Sequence, residues 1–134
     1  MLQAKKKLKR ISKSLFDIKL ELENIYYHDT KIYMVVCITN NSNIDYYINY
    51  IKTYIFQNKD NSSNQYLEKS PTELFNTRQI IKTKQNQKIV FVYDQFTIDQ
   101  NKEFVFELNE SQGERNISLE IPNYIINNPK NKIK

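Results

Sequence analysis

His28 and Cys37 are the one histidine and the one cysteine of this chain, so nucleophilic or metal chemistry would have to pass through them. A Ser/His/Asp or Cys/His relay needs its base within hydrogen-bond reach of its nucleophile. His28 stands in a polar run, residues 27–31, that reads as a turn exposed to solvent. Cys37 lies inside the most apolar stretch, residues 31–40, where a thiol behaves as a small hydrophobe. Zinc takes several Cys or His ligands, and one of each does not make a site. Two carboxylate pairs stand out, Glu21/Glu23 and Asp94/Asp99, but Glu21 and Glu23 alternate with Leu20 and Leu22 on what reads as the wet face of a strand. With a single glycine, Gly113, no phosphate-cradling loop can be built. These residues predict a protein that is not an enzyme and carries no cofactor and no metal.

The elements that would carry such residues are strands. Residues 31–40 form a nearly unbroken apolar, β-branched run, the pattern of a strand buried on both faces. Asn41, Ser42 and Asn43 then reverse the chain, and residues 44–56 make the second arm of a central hairpin. In that arm Tyr46, Ile48 and Tyr50 share a face before the pattern slips to Ile51, Thr53 and Ile55, the signature of a β-bulge. Phe16, Ile18, Leu20 and Leu22 alternate with charged residues in an earlier strand, and Phe104, Phe106 and Leu108, then Ile117, Leu119 and Ile121, alternate in later ones. Residues 88–93 read as a further strand and 79–82 as a short one, whereas Ser70 and Pro71 suggest a helix of one or two turns. Asn, Ile and Lys supply 52 of the 134 residues, so Asn must make the turns that glycine usually makes. Gly113 is expected at positive φ in the turn before Arg115, with Gln112 or Asn109 as the alternative positions, and Arg115 is expected either to pair with Glu110 or to remain solvated.

The pattern predicts one all-β domain, an antiparallel immunoglobulin-like sandwich of about seven strands over residues 15–123. Residues 1–14 are expected as a basic arm or linker, with a short basic amphipathic helix through Leu8, Ile11 and Leu15 as the alternative, and residues 124–134 as a tail. Residues 57–64 read as a mobile polar tip. The net charge of +5 is unevenly placed. Residues 1–13 hold six basic side chains and no acid, while residues 14–129 hold eleven basic and fifteen acidic ones, a net of −4. A mildly acidic body, with only Lys52 on the Tyr-rich stretch 45–56, argues against direct nucleic-acid binding. No apolar run is long enough to span a membrane, and the amino-terminal stretch lacks the apolar segment of a signal peptide.

Three stretches resemble a known family. They are Ile38-Thr39-Asn40-Asn41-Ser42-Asn43-Ile44-Asp45-Tyr46-Tyr47, Phe91-Val92-Tyr93-Asp94-Gln95-Phe96-Thr97-Ile98, and the hairpin Glu110-Ser111-Gln112-Gly113-Glu114-Arg115. Together they are similar to the C-terminal domain of the conjugative transposon TraN family of Bacteroidetes, in order and over residues 16–123. The chain departs from that pattern at Glu114, where the family has a second glycine, and at residues 58–65, where the family has a basic segment.

The family's domain is similar to the β-sandwich of the outer-membrane-core subunit of type IV secretion systems. The resemblance implies a non-catalytic structural subunit of a conjugative DNA-transfer channel, periplasmic or outer-membrane-associated. Its implied partners are other channel subunits, a small lipoprotein among them, and copies of itself in a ring. A free-standing β-sandwich adaptor or periplasmic accessory protein is the alternative. Strand addition at a sheet edge is the natural mode of capture. Gln57, Lys59, Asp60, Gln79, Ile81 and Arg115 are the expected partner-facing residues.

Overall fold

Ile18, Leu20 and Leu22 point into the core while the residues between them stay partly wet, so the alternation in the sequence becomes one buried face of a strand. The computed structural model describes residues 11–57, 65–75 and 77–131. Its strands are β1 (Ser12–Leu15), β2 (Ile18–His28), β3 (Lys31–Asn40), β4 (Tyr46–Gln57), β5 (Gln65–Glu68), β6 (Glu73–Phe75), β7 (Ile80–Ile81), β8 (Gln85–Asp94), β9 (Lys102–Glu110), β10 (Ile117–Pro122) and β11 (Lys130–Asn131), with one helical turn, α1 (Asn123–Ile126), before β11. A first sheet has the order β1-β2-β3-β8-β6, with β11 parallel on β2, and a second has the order β10-β9-β4-β5, with β7 on β4. All pairings other than that of β11 are antiparallel, and the two sheets pack as a sandwich. The described strands number eleven rather than seven, because short edge pieces flank the long strands.

Aromatic rings fill the space between the sheets. Phe91 of β8 meets Phe106 of β9 edge to face at 4.9 Å, and Tyr93 meets Phe104 at 5.4 Å. Tyr93 is fully buried, and its hydroxyl donates across the core to Thr53 Oγ1 on β4 at 3.1 Å. Thr53 in turn donates to the carbonyl of Lys69, so the tyrosine's polar tip is satisfied inside the core.

The expected central hairpin is an arch instead. β3 belongs to the first sheet and β4 to the second, so residues 41–45 cross between the sheets and do not join paired strands. Asn40 decides this geometry. Its fully buried amide donates to the carbonyls of Ile44 and Ile81 at 2.9 Å each and accepts from the backbone N–H and hydroxyl of Ser42 at 3.0 and 2.6 Å. Every hydrogen-bonding site of the side chain is used, and the carbonyls of the crossing chain are turned inward to meet it. The expected bulge in β4 is present, with the register shifting between Ile48 and Tyr50 against β9.

Other expectations change at the turns. Phe16 is 51% exposed and not a core residue, because Phe16 and Asp17 are the two positive-φ residues of a two-residue hairpin loop between β1 and β2. Asp29 and Thr30 play the same part between β2 and β3. Pairing already begins at Ser12, and Ile11 packs on the core, so the end of the expected arm is neither linker nor helix. The helix expected at Ser70 and Pro71 is absent; Thr72 donates its N–H to Val92, and the chain runs into β6. Gly113 does not have positive φ, and Gln112, at 62°, takes that role. Residues 123–131, expected as mostly tail, add the buried Ile126 to the core and close one end through paired Asn127–Ile98 hydrogen bonds. Of the polar tip expected at residues 57–64, Gln57 instead ends β4, and residues 58–64, like residues 1–10 of the expected arm, lie outside the described residues.

Candidate functional site

The chemically suggestive side chains are held apart or neutralised by neighbours. His28 and Lys31 flank the β2–β3 turn, whereas Cys37 pairs with Glu21 well along the same ladder. Burial pushes the Cys37 thiol up from its ordinary range, which disfavours the thiolate. Glu21 and Glu23 lie within 3.5 and 3.1 Å of Lys19 and Lys88, and Asp94 lies 2.6 Å from Lys31. No group of three or more His, Cys, Asp or Glu side chains suited to a metal ion is present among the described residues.

Arg115 is committed to the fold. Its guanidinium grips Glu110, with Nη2 to Oε2 at 2.7 Å and Nε to both carboxylate oxygens at 3.1 Å, and its backbone N–H also donates to Glu110 Oε1. The same guanidinium donates to Ser42 Oγ and the Asp45 carbonyl at 3.0 and 3.1 Å and lies over the Tyr46 ring at 5.1 Å. Tyr46 returns a hydrogen bond from its hydroxyl to the Arg115 carbonyl at 2.7 Å. The arginine therefore fastens the β9–β10 turn to the arch, and the pair's side chains keep only 15% and 11% of their exposure. Hydrogen bonds from Arg115 hold the Glu110 carboxyl below its ordinary range.

The remaining expected rim residues divide. Ile81 is buried and packs in the core, so its side chain is not available to a partner in this chain alone. Gln79 gives its carbonyl to the Ile48 N–H and fixes β7 on β4. Gln57 ends β4 and, with Ile55, Tyr66, Leu67 and Lys102, lines a hollow of about 470 Å³. Lys59 and Asp60 lie outside the described residues.

Next to Gln57, the edge strand β5 of the second sheet exposes Tyr66 at 50% and Leu67 at 63%, and β6, at the edge of the first sheet, exposes Leu74 at 42% and Phe75 at 47%. Both strands are short and, among the described residues, pair on one side only. Lys69 donates to Thr53, so the alternation of an antiparallel ladder turns the main-chain groups of Tyr66 and Glu68 away from β4. Unpaired backbone beside exposed apolar side chains is what strand addition requires. Sequence patterning missed these four residues. An exposed Leu or Phe in an edge strand looks the same in sequence as a core residue, and only the ladder order separates them.

A family model for a domain of unknown function, DUF4138, matches residues 1–131. The chain belongs to that family. No curated protein matches the chain. The DUF4138 match takes in the whole described fold, including the arch, the Arg115 clamp and the exposed edge.

Proposed function

We propose that this DUF4138 chain is a non-catalytic structural subunit of a conjugative, type IV secretion-like channel, acting through protein–protein contacts. The observation that carries the interaction part is the pair of short edge strands, β5 and β6, with Tyr66, Leu67, Leu74 and Phe75 exposed beside them. The conjugative part rests on the likeness of residues 38–47, 91–98 and 110–115 to the TraN family. On this reading the sandwich is immunoglobulin-like, sits in the periplasm or at the outer membrane, and adds a strand from a neighbouring subunit or small lipoprotein to its open edge. No helix among the described residues is long and apolar enough to cross a membrane.

Affinity capture from the native cell, comparing the wild-type chain with a Leu67→Lys/Leu74→Lys variant, tests both parts. Recovery of conjugation proteins by the wild type, lost in the variant, is the expected result. Recovery of none, in a strain that still conjugates after deletion of the gene, would replace the channel reading with that of a free-standing adaptor.

A further inference from the structure

The outer face of the second sheet is aromatic and acidic at once. Register places Tyr54 beside Val105 and Glu68, Phe56 beside Glu103 and Tyr66, and Lys52 beside Glu107. The Tyr54 and Tyr66 rings lie 4.5 Å apart, and the Tyr50 hydroxyl donates to Glu107 at 3.2 Å. Lys52 is drawn between the Tyr50 and Tyr66 rings at 5.6 and 5.8 Å, so the face already holds one cation by its ring electrons. Glu120, which pairs with Val105, completes the face on β10. Four carboxylates, those of Glu68, Glu103, Glu107 and Glu120, thus share this face with Lys52, and Lys13 of β1 meets Glu120 from the side.

The same chain carries the complementary charge. Lys5, Lys6, Lys7, Lys9 and Arg10 precede the described residues with no acid among them. The next cation after them, Lys13, ion-pairs with Glu120 at 3.0 Å, on the rim of the face. At Ile11 the main chain accepts a hydrogen bond from Leu22, along the β2 edge of the other sheet.

We propose that the basic arm of one copy docks on the aromatic, acidic face of a second copy, in a head-to-tail contact held by charge pairing and cation–π attraction. Such a contact is heterologous: it uses a different surface on each partner, so it can be repeated from copy to copy. It requires nothing of the machine in which the chain works.

Sedimentation velocity on the full chain, from about 5 to about 500 µM, reads the contact directly. Concentration-dependent association is expected, weakening about tenfold as ionic strength rises from about 0.05 to about 0.3 M. Reversing the arm (Lys5→Glu, Lys6→Glu, Lys7→Glu, Lys9→Glu, Arg10→Glu) should abolish it, as should reversing the face (Glu68→Lys, Glu103→Lys), with circular dichroism confirming that both variants stay folded. Mixing the arm-reversed and face-reversed proteins should restore association, because the acidic arm of one then meets the basic face of the other. A monomer at every concentration, association untouched by either reversal, or a mixture that stays monomeric would overturn the proposal. An arm that folds back on its own face would give the first of these results.

Discussion

Arg115 and Glu110 show how much of this fold hangs on single side chains. Removing the guanidinium with Arg115→Ala leaves a largely buried carboxylate without its partner, frees Ser42 and the Asp45 carbonyl of the arch and takes the cation from the Tyr46 ring, while the main-chain carbonyl that accepts from the Tyr46 hydroxyl remains. Urea denaturation should record a loss of about 2–4 kcal/mol, between the value of a charged hydrogen bond and that of a fully buried pair. The same pair gives stability a pH dependence. Glu110 has its folded pKa below its ordinary value of 4.5, so its contribution is fully present above that value and is lost as the pH falls through the folded pKa. Glu110→Gln should therefore flatten the acid limb of a stability profile measured below about pH 4.5.

Gly113 belongs to the same cluster for a steric reason. A Cβ there would stand 2.5 Å from Glu110 Oε1, so Gly113→Ala should push the carboxylate off Arg115 and cost about 1–2 kcal/mol. That penalty should shrink in an Arg115→Ala background, because the two changes break one cluster. A double-mutant cycle that comes out additive would place the strain elsewhere.

At the scale of elements, tight turns are made without glycine. Phe16 and Asp17 both have positive φ in the β1–β2 loop, where left-handed backbone costs most residues about 1–2 kcal/mol. Phe16→Asn with Asp17→Gly supplies the residues that such a loop favours and should raise the melting midpoint by an amount equivalent to about 0.5–1 kcal/mol. The arch works on the opposite logic, since Asn40 is irreplaceable there. Asn40→Asp keeps the acceptors for Ser42 but removes both donors to Ile44 and Ile81 and buries a charge. It should cost about 3 kcal/mol or more in chemical denaturation, or prevent folding.

Over the whole molecule, the carboxy-terminal stretch behaves as part of the core. Ile126 is fully buried, and Asn127 exchanges two hydrogen bonds with Ile98, so α1 covers one end of the sandwich. Ile126→Ala should cost about 2–5 kcal/mol by the usual cavity penalty. Truncation after Pro122 should cost at least as much in a thermal melt. A truncated chain as stable as the full one would mean that the sandwich closes without this stretch.

Fold class, the long strands and the bulge in β4 were legible in the sequence, because period-two alternation and its interruption follow directly from which face of a strand meets water. Ile18, Leu20, Phe104, Phe106, Leu119 and Ile121 are all buried as that alternation requires. The Glu110–Arg115 pair was one of two readings that local spacing left open. The partition of strands between sheets was not legible, since β3 and β4 look alike whether joined as a hairpin or split by an arch. The choice depends on Asn40 reaching Ile81, 41 positions away in the chain. Phe16 and Ile126 misled for the same reason: alternation places a residue on a face, but a turn or a docking end decides whether that face is covered. The exposed rim of β5 and β6 is likewise a property of ladder order, which is set by contacts distant in sequence and written in no short stretch of it.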